Sequence, residues 1–166
     1  RFSDEALPQD TTSTRPTKEI YRDMMTEMDK GIATILATLK ETGLASNTLV
    51  IFFSDNGATR EGSNLPLRGF KGTDWEGGHR EPAIAVWPGR IKPGVTGQMV
   101  SSLDILPTFL DFAGVSAPTN RPLDGVSLKS FLLDQKPLGA RQFFWDGAMR
   151  DGEWKGMVQA GNGRKG

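Results

Sequence analysis

The sequence contains no cysteine and only one histidine, His79. The first absence excludes disulfides, thiolate metal sites and a cysteine nucleophile within these 166 residues. It does not fix a compartment, because many exported proteins carry no disulfide. Net charge is missing too: 20 Lys and Arg balance 20 Asp and Glu. Such a balance argues against a polyanion-binding surface as the main function, so no nucleic-acid partner is expected. It leaves room for a small local anion site. No run is long and apolar enough to cross a bilayer, and no membrane partner is expected. The chain opens on Arg1 rather than methionine, so we expect a preceding segment, and the lack of a targeting signal carries no information. What is present is ordinary for a globular protein, with 37% hydrophobic and 24% charged residues. The length suits one domain or a large piece of one.

Residues 1–15 are polar and irregular, and read as a loop. From about Pro16, Ile20, Met24, Met28, Ile32, Ile35, Leu36 and Leu39 recur at three- and four-residue spacing, which predicts a helix with one apolar face. Pro16 suits its first turn and Gly43 its C-terminal cap. The Met24/Met28 stripe reads as core packing. Residues 47–54 are short, apolar and β-prone, as expected for a strand buried on both faces of a parallel sheet flanked by helices. Residues 55–78 form a long glycine-rich polar loop, a kind of segment that is often functional. Residues 82–87 and 98–102 read as two more strands. Asp104 is expected to cap a helix over 105–112 that Gly114 closes, and 127–133 to form another short helix. Residues 142–145 and 148–158 read as strands, with Asp151-Gly152 as a hairpin signal. The end, 161–166, reads as a loop or a cut. Trp75, Trp87, Trp145 and Trp154 are expected as packing anchors.

Two segments could carry chemistry. Ser54-Asp55-Asn56-Gly57 follows a strand directly, and open α/β sheets bind ligands beyond the carboxyl ends of their strands. Asp55 and Asn56 offer hard oxygen ligands suited to Ca²⁺ or Mg²⁺. The same residue types also make plain turns, and two side chains fall short of the roughly six to eight oxygens that Ca²⁺ takes. The second segment runs from Leu67 to Pro82. Lys71 lies there between glycines, ahead of a strand, and its ammonium could hold an oxyanion. A flexible loop with a solvated lysine is the plainer alternative. The pattern is neither a P-loop nor G-x-G-x-x-G. His79 is more often structural than chemical in such a setting, and Arg68 and Arg80 are expected to brace the loop by pairing with Glu76 or Glu81.

Taken in order, these segments resemble the sulfatase family, of the arylsulfatase and N-acetylgalactosamine-6-sulfatase kind. The matching stretches are 21–57, ending in Ser54-Asp55-Asn56-Gly57; Arg68-Gly69-Phe70-Lys71-Gly72 with Glu76-Gly77-Gly78, leading into 82–93; Asp104 with Pro107-Thr108; Asp124-Gly125-Val126-Ser127-Leu128; and 150–155. Each is weak alone; their order and spacing make the set specific. The resemblance implies an alkaline-phosphatase-like α/β sandwich, present in part, followed by a small antiparallel element. Residues 1–139 would be the C-terminal part of the α/β domain, and 140–166 the start of a small antiparallel subdomain. It also implies hydrolysis of sulfate esters, with Asp55 and Asn56 as ligands of a divalent cation, usually Ca²⁺, and Lys71 binding the sulfate in a catalytic role. Aryl sulfates, sulfated sugars and glycosaminoglycan fragments all fit as substrates, and family analogy favours an exported, periplasmic or lysosomal setting. The family's nucleophile is a formylglycine made in a Cys/Ser-x-Pro-x-Arg motif, which this sequence lacks; in Ser116-Ala117-Pro118-Thr119-Asn120-Arg121 the arginine stands one place too late. The nucleophile, the early aspartate pair and the sulfate-contacting histidines are expected upstream of Arg1, and His79 matches none of these. The 166 residues alone are therefore expected to be inactive and to bind metal weakly. A phosphoester or phosphonate hydrolase, or a non-catalytic anion- or carbohydrate-binding relative, would carry the same residues.

Overall fold

The computed structural model describes residues 16–158. The loops expected over 1–15 and 161–166 lie outside the described residues. Helix α1, Thr17–Glu41, follows the predicted periodicity, with Pro16 at the N-cap position. Four hydroxyls along it, from Thr26, Thr34, Thr38 and Thr42, donate to carbonyls one turn back. The helix stops where expected. Gly43 takes a left-handed φ of 73°, and Leu44 N donates to Leu39 O at 2.9 Å, which satisfies a carbonyl that the last turn would leave open. The apolar stripe is not core among the described residues: α1 buries no residue, and Met24 is 64% exposed.

Strand β1, Val50–Phe53, pairs antiparallel with β2, Ala83–Val86, Val50 opposite Val86 and Phe53 opposite Ala83. The parallel arrangement expected for this segment is thus not the pairing it makes here. A parallel neighbour needs a crossover, normally a full helix. The loop between these strands holds only a single helical turn, α2, Glu76–His79, so the chain doubles back. Nor is β1 buried on both faces, since Phe52 and Phe53 are exposed. Trp87, just past β2, donates its indole N–H to Ser46 O at 2.9 Å and meets Phe112 edge-on, 5.1 Å between centroids.

Residues 98–102 form no strand; a 3₁₀ turn, Ser102–Asp104, leads instead into α3, Ile105–Ala113. Gly114 ends α3 in a left-handed conformation, as predicted. Asp104 does stand at the N-cap position, yet its carboxylate does not cap α3. It is fully buried and accepts four hydrogen bonds, from Ser101 N, Val126 N and both Nη atoms of Arg141, the last two at 2.7 and 2.6 Å. Burial alone would raise the Asp104 pKa; the Arg141 guanidinium and the two amides outweigh it and hold it below the usual range. Thr108, also buried, donates to Asp104 O and accepts from Leu128 N, which fixes the start of α4, Lys129–Asp134. Among the described residues the buried apolar side chains are Leu128 and Ala148, one beside this polar hub and one in the last sheet.

That sheet is β3, Gln142–Phe144, β4, Ala148–Asp151, and β5, Trp154–Met157, in sequential antiparallel order. Asp151 faces Trp154 across a two-residue turn, where Gly152 has the positive φ that tight hairpins require. Trp154 itself is 84% exposed and anchors nothing among the described residues.

Candidate functional site

Two loops are laced together beyond the end of β1. Ser54 Oγ donates to Asn56 O at 2.8 Å, closing a tight turn that leaves Asp55 exposed and Asn56 half-buried. Gly57 N then donates to Gly78 O at 3.0 Å, and Lys71 N donates to Ala58 O at 3.1 Å. The backbone carrying Asp55 and Asn56 is therefore pinned to the backbone carrying Lys71, so the three residues singled out in the sequence lie in one loop cluster. A Cβ on Gly57 would overlap the Gly77 carbonyl, and one on Gly78 would overlap that of Thr73. Only glycine permits backbones to lie this close.

Asn64 holds the cluster from inside. Its Oδ1 accepts from Ala58 N at 2.8 Å, and its Nδ2 donates to Ala58 O and Gly69 O. Nothing local marks this role, because an asparagine in a glycine-rich loop reads as a turn former.

The small sheet clamps the other side of the loop. Glu76, at the start of α2, accepts from Lys155 Nζ at 2.9 Å and pairs with Arg150. Arg80 is a more distant partner at 3.8 Å. Burial pushes the Glu76 pKa up, but Lys155 and Arg150 outweigh it and hold the carboxyl below its ordinary value. Arg80 was expected to pair here and does so weakly; the main partners come from β4 and β5. Arg68 makes no such pair. Its guanidinium stacks on Trp75, 3.6 Å from the ring centroid. His79 stacks on Trp145, centroids 4.5 Å apart, which makes it a packing contact between α2 and the small sheet. Gly147 packs against Asp74, so the sheet meets the Lys71 loop at three points.

Glu81 lies near Asp55. Burial raises its pKa first, and the Asp55 charge raises it further. Its Oε1 is buried without a hydrogen-bond partner among the described residues. The carboxylates of Asp55 and Glu81 lie near each other, and Asn56 follows Asp55 in the chain, so oxygen-bearing side chains gather at this corner. That donor chemistry fits a hard divalent cation. No group of three or more His, Cys, Asp or Glu able to hold a metal occurs among the described residues, so any such shell is incomplete here.

With the geometry in place, comparison with known proteins decides the family. The sulfatase family model matches residues 3–115. The chain belongs to the sulfatase family. It is 46% identical over 118 residues to human arylsulfatase A, which covers 68% of this chain and 23% of that protein. It is 39% identical over 130 residues to an arylsulfatase of Hemicentrotus pulcherrimus, covering 75% and 24%. Mouse N-acetylgalactosamine-6-sulfatase is 40% identical over 134 residues, covering 76% and 26%. The chain thus spans about a quarter of the length of the curated relatives it matches. Among solved structures, PsFucS1 sulfatase from Pseudoalteromonas sp. superposes with a TM-score of 0.73 at 38% identity, covering 81% of this chain and 29% of that one. Ps i-CgsB in complex with k-i-k-neocarrahexaose superposes with a TM-score of 0.77 at 28% identity, covering 89% and 36%. The architecture is accordingly part of the alkaline-phosphatase-like α/β fold of sulfatases, with a small antiparallel sheet after it.

Proposed function

We propose that this chain is part of a sulfuric ester hydrolase and supplies three residues of its site. Asp55 and Asn56 are ligands of a divalent cation, Ca²⁺ in the first instance, and Lys71 binds the sulfate group. One observation carries the reading: hydrogen bonds from Gly57 to Gly78 and from Lys71 to Ala58 tie the carboxylate-bearing turn to the lysine loop. A bound cation would supply fixed positive charge to the sulfate oxygens. Lys71 is exposed, and no ion pair engages it among the described residues, so its ammonium is available to an anion. Sulfate-ester cleavage builds charge on the leaving and equatorial oxygens, and a lysine held in advance lowers the cost of that charge. Asp55 and Asn56 directly precede Gly57, whose hydrogen bond to Gly78 ties their backbone to the same cluster. The nucleophile, a formylglycine, is contributed by sequence outside these 166 residues. The rest of the protein also covers the apolar faces of α1, β1 and β2, which are exposed here. The substrate is an aryl sulfate or a sulfated sugar.

The test is turnover of matched aryl sulfate and aryl phosphate esters by the complete protein. Cleavage of the sulfate ester supports the proposal. Cleavage of the phosphate ester alone would assign a phosphoester hydrolase built on the same residues. Cleavage of neither would leave a non-catalytic anion-binding relative and refute the proposal.

A further inference from the structure

Helix α2 is a single turn, Glu76-Gly77-Gly78-His79, so it carries only two side chains. Both reach the small sheet. Glu76 accepts from Lys155 Nζ at 2.9 Å and pairs with Arg150, and His79 stacks on Trp145. The two glycines between them are buried and grip the loop cluster through backbone alone. Gly77 N donates to Arg68 O at 2.8 Å, and Gly78 O accepts from Gly57 N at 3.0 Å. One residue of α2 thus holds the chain that leads to Lys71, and the next holds the turn that carries Asp55 and Asn56. So short a helix does not fix its own orientation, because nearly all of its stability comes from outside contacts. The partners of Glu76 and His79 set it.

Those partners stand on a fixed base. Arg141, just ahead of β3, holds the buried Asp104, and its guanidinium lies over Phe143, 4.7 Å from the ring centroid. Phe143, Arg150 and Lys155 are register partners across β3, β4 and β5, so they share one face of the sheet. Phe143 neighbours Trp145 at 6.4 Å, and Lys155 Nζ lies 5.3 Å from the Trp145 centroid. A line of contacts therefore runs from Asp104 through the sheet to Glu76.

We propose that Glu76 is a positioning residue, through which the small antiparallel sheet sets the placement of Lys71 relative to the Asp55–Asn56 turn. Glu76 acts through α2 and not on the reacting group. Single backbone hydrogen bonds make the two loops touch, and the orientation of α2 decides how they sit against each other. Without the Glu76 charge, Arg150 and Lys155 face an amide, α2 keeps only the His79 stack, and the Gly77 and Gly78 peptides lose their fixed direction. A displaced lysine then meets charge on the reacting sulfate less well, which costs rate more than affinity. The inference rests on the proposed roles of Lys71, Asp55 and Asn56 for its kinetic readout; the positioning of the loops is measured without turnover.

The experiment uses the complete protein as wild type, Glu76→Gln, Lys155→Arg and Leu128→Ala, all at a temperature where each is folded. Lys155→Arg keeps the charge that faces Glu76. Leu128→Ala truncates a buried side chain outside the loop cluster and controls for lost stability alone. Amide hydrogen exchange is followed at Gly57, Lys71 and Gly77, together with steady-state kinetics on an aryl sulfate. Glu76→Gln is expected to speed exchange at these three amides about tenfold, the scale of one charge-assisted hydrogen bond. Its kcat should fall about tenfold to a hundredfold, with KM changed less than about threefold. Lys155→Arg and Leu128→Ala should match wild type in both readouts. Unchanged exchange in Glu76→Gln, or equal acceleration in Leu128→Ala, would overturn the proposal. If the protein cleaves no sulfate ester but Glu76→Gln loosens the three amides, the positioning stands and the sulfatase reading fails. If wild type cleaves the aryl sulfate and Glu76→Gln keeps its kcat, the sulfatase reading stands and the positioning fails.

Discussion

Replacing Glu76 with glutamine tests whether the small sheet holds the Lys71 loop in place. The substitution keeps the shape and removes the charge, leaving Arg150 and Lys155 facing an amide. The side chains of these two cations are 20% and 14% exposed, and that of Glu76 is 24% exposed. Removing one partner of a fully buried pair costs about 3–5 kcal/mol, and an exposed pair is worth about 0–1 kcal/mol. With a quarter of the carboxylate in water, about 2 kcal/mol is the reasoned loss, read by urea unfolding of the complete protein at pH 7. The pH dependence follows from the lowered Glu76 pKa. A carboxylate favoured in the folded state contributes stability that is complete above its unfolded pKa of about 4.3 and is lost as pH falls through the lower folded value. Wild type and Glu76→Gln should therefore differ most near neutrality and converge as the pH drops below about 4. Identical unfolding at pH 7, or a gap that persists undiminished into acid, would refute the reasoning.

Two further outcomes are expected. Asp104→Ala leaves the Arg141 guanidinium, 14% exposed, without its partner. It should cost about 3–5 kcal/mol on the same unfolding assay, and a loss under about 1 kcal/mol would show that water replaces the carboxylate at no cost. Asp55→Ala should weaken Ca²⁺ binding in the complete protein, read by titration calorimetry; an unchanged isotherm would remove Asp55 from the metal site.

Local signals in the sequence translated well into structure, and distant pairings did not. The α1 periodicity, the Gly43 and Gly114 caps and the Asp151-Gly152 hairpin rest on contacts within a few residues. Pairing of β1 with β2 depends on what the intervening loop does, and an apolar run carries no mark of its neighbour's direction. Asp104 read as a helix cap because that is its local position, while its main partner, Arg141, is 37 residues away. Glu76 was matched with nearby arginines, yet its strongest partners lie 74 and 79 residues further on. Asp55, Asn56 and Lys71 were legible as a motif set, and the hydrogen bonds that join their loops are backbone to backbone, Gly57 to Gly78 and Lys71 to Ala58, with no side-chain signature. Arg68 reads as a brace paired with a nearby glutamate, because its stacking on Trp75 is a matter of loop shape.

The decisive measurement is aryl sulfate turnover by the complete protein and its Lys71→Ala variant, with thermal unfolding recorded on both. Lys71 is exposed and makes no ion pair among the described residues, so its removal should leave the unfolding temperature in place. If it stabilises charge on the reacting sulfate, kcat should fall about 10²–10³-fold, the scale for losing one preorganised charge-stabilising group. Full activity in the variant would contradict the assignment of Lys71 to the site.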